Sequence, residues 1–357
     1  MSIDIEKLLK AAVSGGASDI ILKVNAVPKF RKGVSLIPLA DGLVVDQSLM
    51  HHWLNQLVPK SMHGHLNDLN DLDFAYQTDL GYRFRVNVFR QQQNFAVVMR
   101  VIHNHIRTLE ELQLPPVMAK LAAEPRGLIL VTGATGSGKT TTLAAMIERI
   151  NQNRPAHVIT IEDPIEYTYT EKKATINQRE VGIDINSFPA ALRSALRQNP
   201  DVILVGELRD RETIETALMA AETGHVVYST LHTKDASESI TRIMSYFEAF
   251  KHTQIKLSLA QSLKAVISQR LIPRKDGKGM VPALEVMVTN ERIRDLIQNG
   301  EISAILQSIR HNNDGKGMQS FDQSLLGLYT RGVISKEVAM ESASNPQDFL
   351  LQIKGVG

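Results

Sequence analysis

The sequence predicts an α/β protein, and three observations lead to that prediction. From Gly127 onwards, uniformly apolar segments alternate with amphipathic ones, which is typical of buried parallel strands with helices on both faces of the sheet. A glycine-rich loop separates the first such strand from the first such helix. Before residue 103 the pattern differs, because one helical segment is followed by β-branched and aromatic segments that predict a separate α+β domain.

The N-terminal part is predicted to be a domain of residues 1–102. It begins with a helix at residues 5–13 and contains two strand-like segments, "FRVNVFRQ" and "FAVVMRVI". The polar and then proline-punctuated segment "HNHIRTLEELQLPP", residues 103–116, predicts a linker.

The second part is predicted to alternate strands and helices. Its strands are "GLILVTG", "HVITIED", "DVILVGE" and "HVVYSTL", and its helices are "KTTTLAAMIERINQN", "SFPAALRSALRQN" and "RETIETALMAAETG". After Ser237 the chain is predicted to be mostly helical, with one strand-like segment, "PALEVMV". The predicted boundaries are 117–290 for the α/β domain and 291–357 for a helical C-terminal region.

Composition narrows the class of protein. The 357 residues are 43% hydrophobic and 22% charged, which is ordinary for a soluble globular protein. A net charge of +2, without a concentrated basic run, gives little support to a nucleic-acid binder. The absence of cysteine excludes disulfides and thiolate zinc sites and fits a reducing compartment. Because no apolar run approaches the length of a bilayer span, we expect a cytoplasmic protein with at most a peripheral membrane role.

The segment "GATGSGKT" matches the phosphate-binding pattern G-x-x-x-x-G-K-[ST]. Gly136 and Gly138 allow backbone N–H groups to turn towards phosphate oxygens at a helix N-terminus. Lys139 would reach the β and γ phosphates, and the Thr140 hydroxyl would ligate Mg²⁺. The sequence therefore predicts a site for ATP and Mg²⁺. The predicted nucleotide-binding residues of this loop are Gly133, Ala134, Thr135, Gly136, Ser137, Gly138, Lys139, Thr140 and Thr141.

Two strand ends offer carboxylates for the hydrolysis that such a site supports. Glu207 ends the apolar run of "DVILVGELRD", where a carboxylate could hold Mg²⁺ or the attacking water. Many P-loop enzymes have aspartate at the position before this glutamate, but here it is Gly206. The contact of Glu207 with the metal is therefore expected to be indirect. The turn around Pro164 carries a second set of acidic residues. This turn is either a solvated loop or part of the same crevice as Glu207. The acidic residues of the turn are Glu162, Asp163 and Glu166.

A histidine follows the strand "HVVYSTL". His232 reads in isolation as a satisfied core histidine. Its strand is predicted to follow that of Glu207, so the imidazole could also reach the same crevice and sense the γ-phosphate or the attacking water.

Taken in order, these motifs resemble those of the secretion-superfamily ATPases. The segments are "GATGSGKTTTLAAMI", "ITIEDPIEY", "NQREVGID", "LRQNPDVILVGELRDRETIETALMAAETGH" and "STLHT". The chain is most similar to the type IV pilus retraction (twitching motility) ATPases, the PilT/PilU family. The resemblance runs from "GGASDI" near the start to "GMQSFDQSL" near the end.

The resemblance implies a PAS-like N-terminal domain, a RecA-like ATPase domain and a hexameric ring, with the active site between the two domains. It makes Glu207 the Walker B glutamate, Glu166 the catalytic carboxylate and His232 part of a His box, and it places His225 in the same region as that box. From the N-terminal domain it implies phosphate-binding arginines. These are Arg85 and Arg100, with Arg83 as a further candidate. The implied partners are an inner-membrane pilus platform protein and a paralogous retraction ATPase, and no nucleic acid is expected.

One departure from the family pattern keeps alternatives open. Where retraction ATPases usually have "AIRNLIRE", residues 292–299 read "RIRDLIQN", which is compatible with an accessory, PilU-like ATPase. Pilus assembly and type II secretion ATPases usually have a four-cysteine zinc element, and its absence favours retraction. A nucleic-acid motor is a more distant alternative, disfavoured because no basic stripe with interleaved aromatics is present.

Overall fold

The computed structural model describes residues 4–33, 35–39, 42–65, 71–102, 106–311 and 317–355. The chain divides into two compact units, an N-terminal unit of residues 1–105 and a C-terminal unit of residues 106–357. The first three residues of the predicted linker lie outside the described residues.

In the N-terminal unit, two helices and an antiparallel sheet share one core. The sheet has the strand order β3-β2-β1-β6-β5-β4. Its elements are α1 (Ile5–Ser14), β1 (Asp19–Lys23), β2 (Lys29–Lys32), β3 (Ser35–Pro38), α2 (Gln47–Leu57), a 3₁₀ segment (Lys60–His65), β4 (Asp71–Gln77), β5 (Arg83–Gln91) and β6 (Asn94–Ile102). The predicted helix and both predicted strands are therefore present.

Sequence alternation explains which side chains of β5 and β6 face outwards. Phe84, Val86 and Val88 are buried in the core with Leu9 and Trp53. Because neighbouring residues of a strand point to opposite faces, the residues between them lie on the outer face. This outer face carries the arginines that the resemblance singles out.

The C-terminal unit contains a largely parallel sheet with the strand order β13-β12-β7-β11-β10-β8-β9, in which β13 is antiparallel to β12 and the other pairs are parallel. The strands are β7 (Gly127–Thr132), β8 (His157–Glu162), β9 (Thr175–Glu180), β10 (Val202–Val205), β11 (Val226–Leu231), β12 (Leu263–Pro273) and β13 (Met280–Val288). The helices are α3 (Val117–Ala122), α4 (Lys139–Asn153), α5 (Phe188–Ala195), α6 (Arg211–Glu222), α7 (Ala236–Met244), α8 (His252–Ser262), α9 (Glu291–Asn299), α10 (Ile305–Arg310), α11 (Phe321–Thr330), α12 (Lys336–Ser342) and α13 (Pro346–Gly355), with 3₁₀ segments at Ala249–Lys251 and Ile302–Ala304.

Helices cover both faces of this sheet. Leu128 and Leu130 of β7 pack in the core that includes α6 and α7, whereas Ile129 and Val131 pack in the core that includes α3 and α4. The uniformly apolar strands of the sequence are thus strands whose two faces are both buried. This confirms the predicted α/β class.

Two strands of the C-terminal unit were not predicted. The residues of β9 are mostly polar and only partly buried, because β9 is the last strand at one edge of the sheet. β12 follows α8 directly, without a glycine or proline to mark the boundary, so the prediction of mostly helical structure was wrong there. A register shift between Leu263 and Ala265 places Lys264 as an extra residue in its pairing with β7.

The helices after β13 belong to the cores of the C-terminal unit. Ile293 of α9 and Ile305 of α10 lie in the same cluster as Ile240 of α7. Leu325 of α11 and Phe349 of α13 instead pack in a cluster that includes the distal ends of β12 and β13. The boundary at residue 290 stays a prediction. Within the described part of the chain, no helix is long and apolar enough to cross a membrane.

Candidate nucleotide-binding site

The predicted site residues of the C-terminal unit meet at one edge of its sheet. The glycine-rich loop follows β7, Glu162 is the last residue of β8, Glu207 follows β10 and His232 follows β11. Since these four strands are parallel, all of these residues lie at their carboxyl ends, where α/β sheets bind ligands.

The glycines of the loop are required by its conformation. Gly138 caps the N-terminus of α4 with a φ of 88°, in the left-handed region. A Cβ added there would lie 2.7 Å from Nε2 of Gln269. A Cβ added at Gly133 would lie 2.4 Å from the Gln269 carbonyl oxygen. β12 therefore approaches the loop so closely that only glycine fits.

Lys139 is buried inside this loop. Its Nζ donates to the carbonyl oxygens of Gly133, at 2.9 Å, and Ala134, at 3.0 Å. Burial lowers the pKa of Lys139, and the charges of Glu207 and Glu166 oppose that shift. Among the described residues, the buried Ser137 Oγ has no hydrogen-bond partner. A cationic donor, a spare hydroxyl and a helix N-terminus together fit a bound phosphate.

The next three residues, Thr140, Thr141 and Thr142, form the first turn of α4. Thr140 is half-buried, which fits the predicted metal ligand. A cavity of about 490 Å³ opens beside this turn, a size typical of small-ligand sites. Its lining includes Thr141, Thr142, Gln269, Arg107 and Arg274. Of these residues, only Thr141 was predicted from the sequence.

Gln269 is the most informative of the missed residues. It is 3% exposed, and its Nε2 donates to the Ser137 carbonyl oxygen at 2.7 Å. Its Oε1 accepts a hydrogen bond of 2.7 Å from the Thr142 hydroxyl. The side-chain amide of Gln269 is thus hydrogen-bonded to both the loop and α4, the helix that follows it. The available signal was "SQR", three polar residues within the otherwise apolar "AVISQRLI".

Glu207 is the centre of a second cluster. Its Oε2 lies 2.9 Å from Nε of Arg209 and 3.4 Å from Nε2 of His232. Arg209 also lies 3.8 Å from a carboxylate oxygen of Asp163. The structure thus brings His232 to Glu207, as the sequence analysis anticipated. His225, at the other end of β11, instead contacts the Ala220 carbonyl oxygen at 3.0 Å.

The two predicted phosphate-binding arginines of the N-terminal unit lie side by side in its sheet. Arg85 of β5 lies directly opposite Arg100 of β6 in the sheet register. Arg85 Nε lies 3.9 Å from Asp73, and Arg100 Nε lies 3.0 Å from Asp19. Both arginine side chains are exposed. That they bind phosphates stays a prediction.

Known proteins resemble this chain over nearly its whole length. The model of the family described as "Type II/IV secretion system protein" matches residues 71–330. The type IV pilus retraction ATPase PilT of Pseudomonas aeruginosa is 41% identical over 352 residues, which cover 97% of this chain and 100% of PilT. The type IV pilus ATPase PilU of the same organism is 38% identical over 360 residues, covering 99% of this chain and 92% of PilU.

The chain belongs to the type II/IV secretion system protein family.

A solved structure supports the same assignment. The crystal structure of the pilus retraction motor PilT with bound ADP matches with a TM-score of 0.90 and 40% identity, over 97% of this chain and 98% of that one. The resemblance to the PilT/PilU ATPases is therefore confirmed, and the family member described here is a nucleotide-binding ATPase. The predicted fold class, a RecA-like α/β ATPase domain with a separate N-terminal domain, is likewise confirmed.

The two acidic candidates on either side of Pro164 differ in environment. In this secretion-family ATPase, Glu162 is buried and accepts hydrogen bonds from the Thr160 hydroxyl at 2.6 Å and from Gln178 Nε2 at 3.3 Å. Burial raises the pKa of Glu162 to about 7. Glu166 is exposed. Glu166 is thus the member of the pair whose side chain is accessible.

The burial of Glu162 makes stability depend on pH. Because its folded pKa of about 7 lies above the ordinary 4.5, the folded state holds the proton more tightly, and stability falls as pH rises from 4.5 through 7. We expect Glu162→Gln to reduce this slope by on the order of 1 kcal/mol per pH unit. Urea unfolding at several pH values between 5 and 8, for example about pH 5, 6, 7 and 8, would measure it. Equal slopes in the two proteins would contradict the assignment.

His232 offers a test of the second cluster. We expect His232→Ala to lower kcat by about tenfold, because it removes a contact of Glu207. Affinity for ADP should stay within about twofold, since the polar contact described for His232 is with Glu207 and not with a loop residue. Steady-state phosphate release measures kcat, and ADP titration measures the affinity for ADP. His252→Ala, at the start of α8, is the matched control. A fall in melting temperature with unchanged kcat would instead make His232 a structural residue.

Proposed function

We propose that this ATPase hydrolyses ATP in the presence of Mg²⁺ to drive type IV pilus retraction, and hence twitching motility. It would act as a homo-hexamer at the inner face of the inner membrane, together with a platform protein of the pilus. The observation that carries the proposal is the likeness to the retraction motor PilT over nearly the whole chain. The P-loop alone would not distinguish among many nucleotide hydrolases.

In this proposal the loop residues bind and orient the phosphates. The backbone N–H groups between Gly133 and Thr140 and the Lys139 ammonium would face the phosphate oxygens. Lys139 would exchange its two carbonyl partners for phosphate, so binding leaves no buried cation without a partner. Arg85 and Arg100 would contribute further positive charge, as the resemblance implies.

The residues present also fit Mg²⁺. Hard oxygen ligands suit this cation, and the Thr140 hydroxyl and the Glu207 carboxylate are such ligands. When bound, Mg²⁺ would neutralise charge on the phosphate oxygens. Glu207, oriented by Arg209 and His232, would hold the attacking water, and Glu166 would accept its proton.

A second candidate is an accessory retraction ATPase that works beside a principal motor. Residues 292–299 lie on α9, where the usual family residues are kept at the buried positions Ile293, Leu296 and Ile297 and at the exposed position Arg294. The changed positions are all exposed: Arg292, Asp295, Gln298 and Asn299. The packing of the helix is thus kept while its outer surface differs, which is the pattern expected if a surface contact has changed.

Deletion of the gene in its source organism tests the proposal. Surplus surface pili together with lost twitching would support a principal retraction motor. Normal retraction under low load, with a loss only under high load, would support the accessory candidate. Loss of surface pili would contradict retraction and indicate assembly. Complementation with Lys139→Ala, at matched expression, separates the need for ATP turnover from the need for the protein itself.

A further inference from the structure

Tyr167 links two parts of the candidate site. Its hydroxyl lies 2.9 Å from Oγ1 of Thr141, in the first turn of α4. It directly follows Glu166, the exposed carboxylate whose charge acts on Lys139. Tyr167 was not among the predicted site residues, because a tyrosine in a turn has many possible neighbours.

The backbone on both sides of Glu166 is fixed to β9. The Ile165 N–H donates to a carboxylate oxygen of Glu180 at 3.2 Å. The Tyr167 carbonyl oxygen accepts from Gln178 Nε2 at 2.7 Å, and the Tyr169 N–H donates to Gln178 Oε1 at 3.2 Å. These bonds set the course of the segment along the sheet. The Tyr167 hydroxyl joins the same segment to the helix that follows the phosphate loop.

This contact also affects the Thr141 hydroxyl. A hydroxyl has one proton to donate and can accept hydrogen bonds as well. If Tyr167 donates to Thr141, then Thr141 keeps its own proton for an oxygen of the nucleotide. Such a pre-oriented hydroxyl needs no reorganisation when the phosphates bind.

We propose that Tyr167 is a positioning residue for hydrolysis. Its hydroxyl holds the Glu166 segment at a fixed place relative to the phosphate loop and orients Thr141 towards the nucleotide. The inference rests on the proposed function, because it assigns Tyr167 an effect on the same site. The inference adds Tyr167 to the site residues that were predicted in the glycine-rich loop and in the acidic turn.

The test is Tyr167→Phe in the full-length protein, which removes one oxygen atom and keeps the ring. We expect kcat to fall by about tenfold, the effect of losing one well-placed hydrogen bond. The dissociation constant for ADP should change by less than about twofold, and the melting temperature should not change measurably. Phosphate release, ADP titration and thermal unfolding give the three quantities.

Tyr228→Phe is the matched control. The Tyr228 hydroxyl is buried in β11 and donates to the Leu121 carbonyl oxygen at 3.3 Å, away from the site. Its removal should lower the melting temperature and leave kcat unchanged. The two variants thus separate a structural hydroxyl from a positioning hydroxyl by opposite readouts.

A double-mutant cycle with Thr141→Val tests the path of the effect. If Tyr167 acts through Thr141, adding Tyr167→Phe to Thr141→Val should slow turnover less than it slows the wild type. Unchanged kcat in Tyr167→Phe, or the same factor in both backgrounds, would overturn the inference while the wild type still turns over ATP. A wild type without ATP turnover would overturn the inference and the proposed function together.

Discussion

Glu207→Gln is expected to reduce ATP turnover by about 100-fold or more while nucleotide still binds. The carboxylate is held by Arg209 at 2.9 Å and lies 3.4 Å from His232, so its position is defined before any ligand arrives. An amide keeps the shape of the side chain but loses its charge and one acceptor oxygen. Loss of a preorganised electrostatic group of this kind typically costs 10²–10³ in kcat, by order of magnitude.

Phosphate release under saturating ATP measures this effect, and titration with labelled ADP shows that the site is still formed. Glu222→Gln, an exposed position at the end of α6, is the matched control and should retain wild-type turnover. If Glu207→Gln hydrolysed ATP at the wild-type rate, the assignment of Glu207 would be wrong, and the acidic turn around Pro164 would become the main candidate.

Lys139→Ala is expected to abolish both tight nucleotide binding and turnover. The ammonium is buried in the loop and satisfied only by the carbonyl oxygens of Gly133 and Ala134 among the hydrogen bonds described. Without it the phosphates meet a loop that lacks its central positive charge. We expect kcat/KM to fall by about 10³-fold or more, which combines weakened binding with weakened transition-state stabilisation.

The control for Lys139→Ala must distinguish a loss of nucleotide binding and turnover from a loss of folding stability. Lys120→Ala removes an exposed ammonium of α3 and should change neither turnover nor melting temperature. Thermal unfolding of the nucleotide-free proteins should give similar midpoints for Lys139→Ala and the wild type, since removing a desolvated charge offsets the loss of its hydrogen bonds. ADP should raise the midpoint of the wild type and leave that of Lys139→Ala nearly unchanged. An equal rise in both proteins would contradict the predicted role.

Much of the site could be predicted because its residues follow buried strands. Four apolar runs mark β7, β8, β10 and β11, and whatever follows such runs in a parallel sheet meets at one edge. This is why Glu207 and His232, which are 25 residues apart in the sequence, could be expected near each other.

Other parts depend on packing that a single sequence does not display. Glu162 and Glu166 look alike as members of one acidic turn, yet Gln178 of the edge strand β9 reaches Glu162 and helps to bury it. The role of Gln269 required β12 to be recognised as a strand. The contact of Tyr167 with Thr141 depends on the direction of two side chains, which neither periodicity nor spacing specifies.

The pairing of β12 with β7 beyond the extra residue Lys264 determines which side chain of β12 faces the phosphate loop. From Ala265, paired with Ile129, to Ser268, paired with Thr132, the register is regular. Because side chains of a strand alternate between its faces, inserting or deleting one residue between Ala265 and Gln269 would pair the strand one position out of step, and Gln269 would point away from the loop. Removing Lys264 itself would leave this register unchanged, because Lys264 has no partner in it. Insertions and deletions should be tolerated in the exposed turn at residues 275–279 but not between Ala265 and Gln269. The ATPase thus has a stretch of chain in which length matters as much as residue identity.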